Sequence, residues 1–288
     1  MKIAVYPGCM VLARFQEYEL ASRKVLEQLG YEIVELGEFC CCGASLLPGV
    51  TDNWVNLTAY TLALAEKAGT DIVTLCGNCT NNFKRVNSYF EGDHKVRDEI
   101  NSTLGKLDLV YGGRVKVNHL IEVLYGKREQ VAGLVKRKIH VRVAVSHPCQ
   151  VLRPKGITGI EDPNAFRRIL EVLRLDIIDY PEEHECCGAT ALLFNEEMGI
   201  RQGRSKLESC KAHGANLVAA ACGNCLFLLG RLQNKIFEKK KDSKIPVTSL
   251  SQLVAFSFGY SDKSLSKPFT GSKVQGSEVK GGDRFPVS

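Results

Sequence analysis

Residues 71–79 read Asp71-Ile72-Val73-Thr74-Leu75-Cys76-Gly77-Asn78-Cys79, and residues 216–225 read Asn216-Leu217-Val218-Ala219-Ala220-Ala221-Cys222-Gly223-Asn224-Cys225. Each is a short apolar run of buried-strand length that ends in Cys-Gly-Asn-Cys. Working outward, a helix over 57–68 closed by Gly69 precedes the first run, and a helix over 202–212 precedes the second. Strands over 2–6 and 141–146 open the two halves. Helices over 17–29 and 165–173 follow them, then strands over 31–36 and 176–180. Strands alternating with helices imply parallel sheets, so the expected fold class is α/β, built as two pseudo-symmetric lobes. Both Cys-x-x-Cys motifs then lie at the C-terminal ends of strands, where α/β sheets bind ligands and where helix N-terminal amides face outward.

The remaining cysteines repeat in the same order. Cys9 precedes Cys41-Cys42-Gly43 in the first half, and Cys149 precedes Cys186-Cys187-Gly188 in the second. Matching positions are offset by 140 (Cys9 to Cys149), 145 (Cys41 to Cys186) and 146 (Cys76 to Cys222) residues, so one half duplicates the other. The expected domains are 1–138, 139–260 and a flexible tail over 261–288 rich in Ser, Gly and Lys. Residues 95–138 read as helical insertions within the first domain, with 117–125 the most regular piece.

Composition excludes several classes. The chain has 288 residues, 44% hydrophobic and 24% charged, values of a globular protein with a solvated surface. A formal charge of +6 without a basic stripe does not suggest a nucleic-acid partner. No run approaches the roughly 20 apolar residues of a membrane helix. The opening strand runs straight into Pro7-Gly8-Cys9, which leaves no room for a secretory leader, and a cytoplasmic location is expected. In that compartment 12 cysteines point to metal or redox chemistry before disulfides.

A lone Cys-x-x-Cys serves zinc, iron–sulfur and dithiol sites alike. The adjacent pairs discriminate. Neighbouring Cα atoms are about 3.8 Å apart, below the roughly 4.4–6.8 Å of ordinary disulfides, so Cys41-Cys42 and Cys186-Cys187 read as metal ligands. A tetrahedral zinc needs four ligands, whereas each half aligns five cysteines. Two zinc sites with a spare thiol each, and a thioredoxin-like dithiol, are the alternatives. Cys40 and Cys210 have no counterpart, and Cys210 reads as an ordinary buried thiol.

This doubled pattern resembles the cysteine-rich CCG domain that defines the catalytic B-type chain of heterodisulfide reductase and its relatives. The resemblance extends to about Gly259 and includes residues 117–125 and 245–253. It implies a noncubane [4Fe-4S] cluster in each lobe: one on Cys9, Cys41, Cys42, Cys76 and Cys79, the other on Cys149, Cys186, Cys187, Cys222 and Cys225. It implies that the clusters face each other across the lobe interface, flank a disulfide and give one electron to each sulfur. It also implies a C-type iron–sulfur subunit as electron donor, fed by an A-type flavoprotein subunit. No G-x-G-x-x-G and no P-loop is present, in keeping with flavin chemistry borrowed from a partner. One position departs from the resemblance: a histidine is expected directly after the second lobe's first cysteine, but Gln150 stands there and the nearest imidazole is His147. Those two are the candidate substrate-facing residues, and a glutamine supplies no proton near neutral pH. A disulfide other than the methanogen one is therefore expected. The alternative within the same resemblance is an electron-transfer subunit of a sulfur-oxidising or quinone-linked dehydrogenase complex. A structural-zinc scaffold is the non-catalytic alternative.

Overall fold

Two four-stranded parallel sheets organise the chain in a computed structural model that describes residues 1–43, 50–51, 53–92, 94–158, 160, 162–238 and 243–260, with the backbone of 275–278. In the first sheet β1 (Lys2–Tyr6), β2 (Glu32–Ile33), β3 (Asp71–Thr74) and β4 (Val117–His119) lie in the order β2-β1-β3-β4. The strand β5 (Arg137–His140) leads into the second sheet. There β6 (Arg142–Ser146), β7 (Asp176–Ile178), β8 (Leu217–Ala220) and β9 (Val247–Ser249) repeat the arrangement as β7-β6-β8-β9. Registers also repeat: Tyr6 lies opposite Thr74, and Ser146 opposite Ala220. The α/β reading of two similar lobes is what the molecule shows. A strand β10 (Gln275–Glu278) runs antiparallel to β5; the rest of the expected tail falls outside the described residues.

The central strands are short and apolar because helices cover both their faces. From its second residue onward β1 is buried, and so is β6. The edge strands are shorter. Only Glu32–Ile33 pairs within the strand expected over 31–36. Beyond it the chain leaves the sheet to carry the Cys41-Cys42 loop.

The helix expected over 117–125 needs a correction. Val117–His119 is a strand that pairs with β3, and the helix begins only at Leu120. His119 caps that helix: its Nδ1 accepts the Ile121 N–H at 3.2 Å, while Glu122 accepts the His119 N–H at 2.6 Å. The second lobe uses the same device, with Ser249 and Gln252 capping the helix Leu250–Ser257. What reads as an insertion thus contains the fourth strand of the first sheet.

These last helices cross over. The helix Leu120–Gly126 packs on Ala165–Val172 of the second lobe, and Leu250–Ser257 packs on Gln16–Gln28 of the first. Ser251 Oγ donates to the Tyr18 carbonyl at 3.1 Å, and Ser22 Oγ to Ser251 Oγ at 3.0 Å. One continuous apolar core therefore runs through both lobes. Among the described residues no helix is long and apolar enough to cross a membrane.

Candidate metal centre

In each sheet the chain leaves the first strand toward one edge and later returns to that strand's other side. This leaves a crevice between the C-terminal ends of the two central strands. Cys9 and Cys76 follow the paired residues Tyr6 and Thr74 by three and two positions, and Cys149 and Cys222 follow Ser146 and Ala220 likewise. Both pairs emerge into the crevice. Each Cys-Cys-Gly loop is then folded over it. In the first lobe Tyr6 Oη donates to the Cys40 carbonyl at 2.7 Å and accepts the Cys42 N–H at 3.1 Å. Asn82 Nδ2 donates to the Cys42 carbonyl at 2.6 Å, and Thr61 Oγ1 accepts the Cys40 N–H at 3.2 Å. In the second lobe Lys206 Nζ donates to the carbonyls of Glu182, Glu185 and Glu183 at 2.5, 2.9 and 3.0 Å. Gly43 and Gly188, at φ 78° and 97°, turn the chain back through the left-handed region, which explains the glycine that ends both triplets.

The ten repeated cysteines meet. All are free thiols, and they neighbour one another in the order Cys9, Cys41, Cys42, Cys79 and Cys76. Cys76 Sγ then lies 3.6 Å from Cys222 Sγ of the other lobe. From there the order runs Cys222, Cys225, Cys187, Cys186 and Cys149. The row of sulfurs is symmetric about its midpoint. Cys9 and Cys41 at one end are exposed, Cys149 and Cys186 at the other are half-buried, and the six between are buried. Cys40 contributes backbone to its loop. Cys210 is buried against the Tyr180 hydroxyl, apart from the row.

The row also sorts protons. Cys41 is pulled down by hydrogen bonds from Cys42 and Cys9, Cys186 by those from Cys149 and Cys187, and Cys222 by those from Cys225 and Cys76. The donors Cys9 and Cys149 are pushed up. Thiolate is the form that ligates metal.

Close backbone approach holds the halves together. A Cβ on Gly77 would stand 3.3 Å from Gln150 Cβ, and one on Gly223 would stand 2.9 Å from Val11 Cγ2. The first variable residue of each Cys-x-x-Cys therefore packs on the opposite lobe, at the helix that follows its first cysteine. Beside the second quintet a narrow crevice is lined by Asn78, Gln150, Thr190 and Asn224, all uncharged.

The two candidate substrate-facing residues occupy different settings. Gln150 is half-buried in this crevice. His147 is buried, its Nε2 bonded to Glu183 Oε1 at 2.9 Å, and its ring is stacked on His184 at 4.5 Å. The other Glu183 oxygen accepts from Arg167 at 2.7 Å. Burial pulls the His147 imidazole down, although Glu183 opposes it.

Three buried donors that the sequence did not single out surround the same sulfurs: Tyr18 Oη, Asn78 Nδ2 and His119 Nε2. Tyr18 Oη and Asn78 Nδ2 have no hydrogen-bond partner among the described residues, and His119 has only the Ala221 carbonyl within reach. Tyr18 stands beside Cys222, Cys76 and Cys225, and His119 beside Cys222. Burial pulls His119 down to about 4 and keeps it neutral. With Nδ1 accepting, its proton sits on Nε2. Buried donors without acceptors call for an explanation. A thiol-only ligand set ringed by such donors fits an iron–sulfur group, whose sulfurs accept hydrogen bonds.

Comparison with known proteins bears on the same residues. The model of a cysteine-rich domain, CCG, matches residues 3–84 and again 143–230. The B-type chain of the ferredoxin/F(420)H(2)-dependent CoB-CoM heterodisulfide reductase of Methanosarcina acetivorans is 28% identical over 284 residues, covering 92% of this chain and 91% of that protein. The 8-methylmenaquinol:fumarate reductase membrane anchor subunit of Wolinella succinogenes is 29% identical over 273 residues, covering 92% and 94%. In fold, a crystal structure of a hypothetical protein from Helicobacter pylori superposes with a TM-score of 0.72 at 18% identity, over 92% of this chain and 50% of that one.

Proposed function

The chain belongs to the cysteine-rich CCG-domain family, and from that premise we propose that it is the iron–sulfur catalytic subunit of a heterodisulfide-reductase-like complex. Cys9, Cys41, Cys42, Cys76 and Cys79 hold one noncubane [4Fe-4S] group, and Cys149, Cys186, Cys187, Cys222 and Cys225 hold the other. When bound, each group supplies one electron, and the two together match the two electrons that turn a disulfide into two thiols. The observation that carries this reading is the convergence of ten free cysteines, five from each lobe, about the contact of Cys76 and Cys222.

This chain's own residues do the rest. The Tyr6 and Lys206 contacts fix the two Cys-Cys-Gly loops. Gly77 and Gly223 set the separation of the halves, and the buried middle of the row excludes water. The amides of Gln150 and Asn224 orient a substrate at the second crevice, where the only lining side chains that ionise are the cysteines themselves. His147, tied to Glu183, braces the turn before Cys149. Electrons reach the chain from a C-type iron–sulfur subunit and a flavoprotein.

A second reading keeps the ligand sets and changes the partner reaction to quinone-linked electron transfer. The Wolinella relative, similar across 92% of this chain, favours it.

Anaerobic purification followed by metal analysis tests the premise. About eight irons and eight sulfides per chain are expected, and zinc without iron would reject the reading. Reduced viologen with candidate heterodisulfides then separates the two reactions. Thiol release supports the first; none with any candidate, together with oxidation of a menaquinol analogue, supports the second.

A further inference from the structure

Resting on the iron–sulfur reading, we propose that Lys206 makes the two ligand nests electrically unequal, so that the second lobe takes up an electron at a higher potential than the first. Lys206 lies in the middle of the helix Glu196–Ala212 and is 1% exposed. Its three N–H bonds are matched by three carbonyls, those of Glu182, Glu183 and Glu185, so the group is an ammonium held in place. These acceptors solvate the charge without cancelling it. Two carboxylates of that turn have buried oxygens: Glu183 is committed to His147 and Arg167, and Glu182 keeps one oxygen buried without a hydrogen-bond partner among the described residues, so it offsets part of the charge. The turn runs directly into Cys186-Cys187, and the Glu185 carbonyl that Lys206 holds belongs to the peptide bond of Cys186; burial pulls the ammonium down, while Cys225, Cys210, Cys187 and Cys186 favour its charged form.

In the first lobe the offset of 145 that relates the Cys-Cys pairs carries Lys206 onto Thr61. Thr61 does the same mechanical work, holding the loop through the Cys40 N–H at 3.2 Å, but it is neutral. In both lobes the strongest influence on each of these thiols is another cysteine, but Lys206 also acts on Cys186, whereas no cation figures among the main influences on Cys9, Cys41, Cys76 and Cys79.

His119, a first-lobe residue, lies beside Cys222 with the Ala221 carbonyl within reach of its ring. Its counterpart Ser249 is bonded instead to Gln252 at 2.8 Å. A buried cation stabilises the form with one more electron, and so raises the potential.

The test is a potentiometric titration of the anaerobically reconstituted full chain, with dithionite and mediators supplying electrons and EPR following each centre. Cys187→Ala identifies the second-lobe signal by its loss. The second-lobe signal is expected to appear at the higher potential. Lys206→Gln should move that midpoint down by at least tenfold in the reduction equilibrium, about 59 mV, with the first-lobe midpoint unmoved. Lys206→Arg, which keeps the charge, should stay near the wild type. Coincident wild-type midpoints, or a lower second-lobe midpoint, overturn the proposal. So does Lys206→Gln with full iron and an unmoved midpoint. Should Lys206→Gln lose its second-lobe iron, the wild-type order decides alone. A wild-type chain without iron would instead remove the functional reading on which this rests.

Discussion

The Sγ atoms of Cys76 and Cys222 lie 3.6 Å apart in the buried middle of the molecule, although 146 residues separate them in the chain. Each is the first cysteine of a Cys-x-x-Cys motif, and each belongs to a different sheet. Their contact joins two quintets into a single body of sulfur.

In the chain stripped of metal and exposed to air, these two thiols are expected to form a disulfide. Oxygen takes up the two electrons, and the sulfurs must close by about 1.5 Å to the usual bond length. Non-reducing peptide mapping should recover one linked pair that spans both lobes, and Cys76→Ser should abolish it. Metal-loaded protein should be protected. Recovery of only Cys76–Cys79 and Cys222–Cys225 links would show that the contact is not realised in solution.

Gly8 holds a φ of +79°, and a Cβ there would stand 2.9 Å from Cys79 Sγ. The ψ of 158° at Gly8 puts it in a region open essentially to glycine, so Gly8→Ala adds backbone strain of about 1–3 kcal/mol and pushes a ligand sulfur aside. Iron is expected to fall to about half, with the first-lobe EPR signal lost and the second kept. Full iron occupancy in this variant would mean that the turn is looser than the geometry shows.

Because each lobe's last helix packs on the other lobe, neither lobe is complete alone. Urea unfolding should follow one transition, with fluorescence and circular dichroism coincident. Two separated transitions would contradict the shared core.

Away from the sulfurs, Glu66 accepts the N–H groups of Gly112 at 2.6 Å and Arg114 at 3.0 Å, and the Arg114 Nε–H at 3.0 Å. Burial pushes its carboxyl up, but these bonds outweigh it and hold the group below the usual range. The depressed value means that its stabilisation is fully present above the unfolded carboxyl range and is lost as pH falls through the folded value. Glu66→Gln should cost about 1–3 kcal/mol at pH 7 by urea unfolding, and the difference should shrink as acidification protonates the folded carboxylate. A cost that does not depend on pH would indicate lost packing instead of lost charge.

The repeat was legible because cysteine spacing and the strand before each Cys-x-x-Cys leave a local trace. The strands β4 and β9 left none: three residues cannot display a period of two, and only the pairing of Val117 with Ile72 and of Val247 with Val218 defines them. Lys206 reads in sequence like any lysine on a surface helix, and its burial depends on three carbonyls more than 20 positions away. His119 looked like an interior helix residue because its capping role requires knowing where the strand stops. The glycines of Cys-Gly-Asn-Cys were visible, but not their reason, which lies at Val11 and Gln150 on the opposite lobe.

The crossed terminal helices carry a historical consequence. An ancestor with a single copy and one quintet would leave its last helix uncovered, and two identical copies paired about a dyad would cover both. Such a homodimer is bound to identical electron sites. Joining the copies in one gene lifts that restriction, and the pairs Thr61 with Lys206 and His119 with Ser249 record how far the halves have since parted.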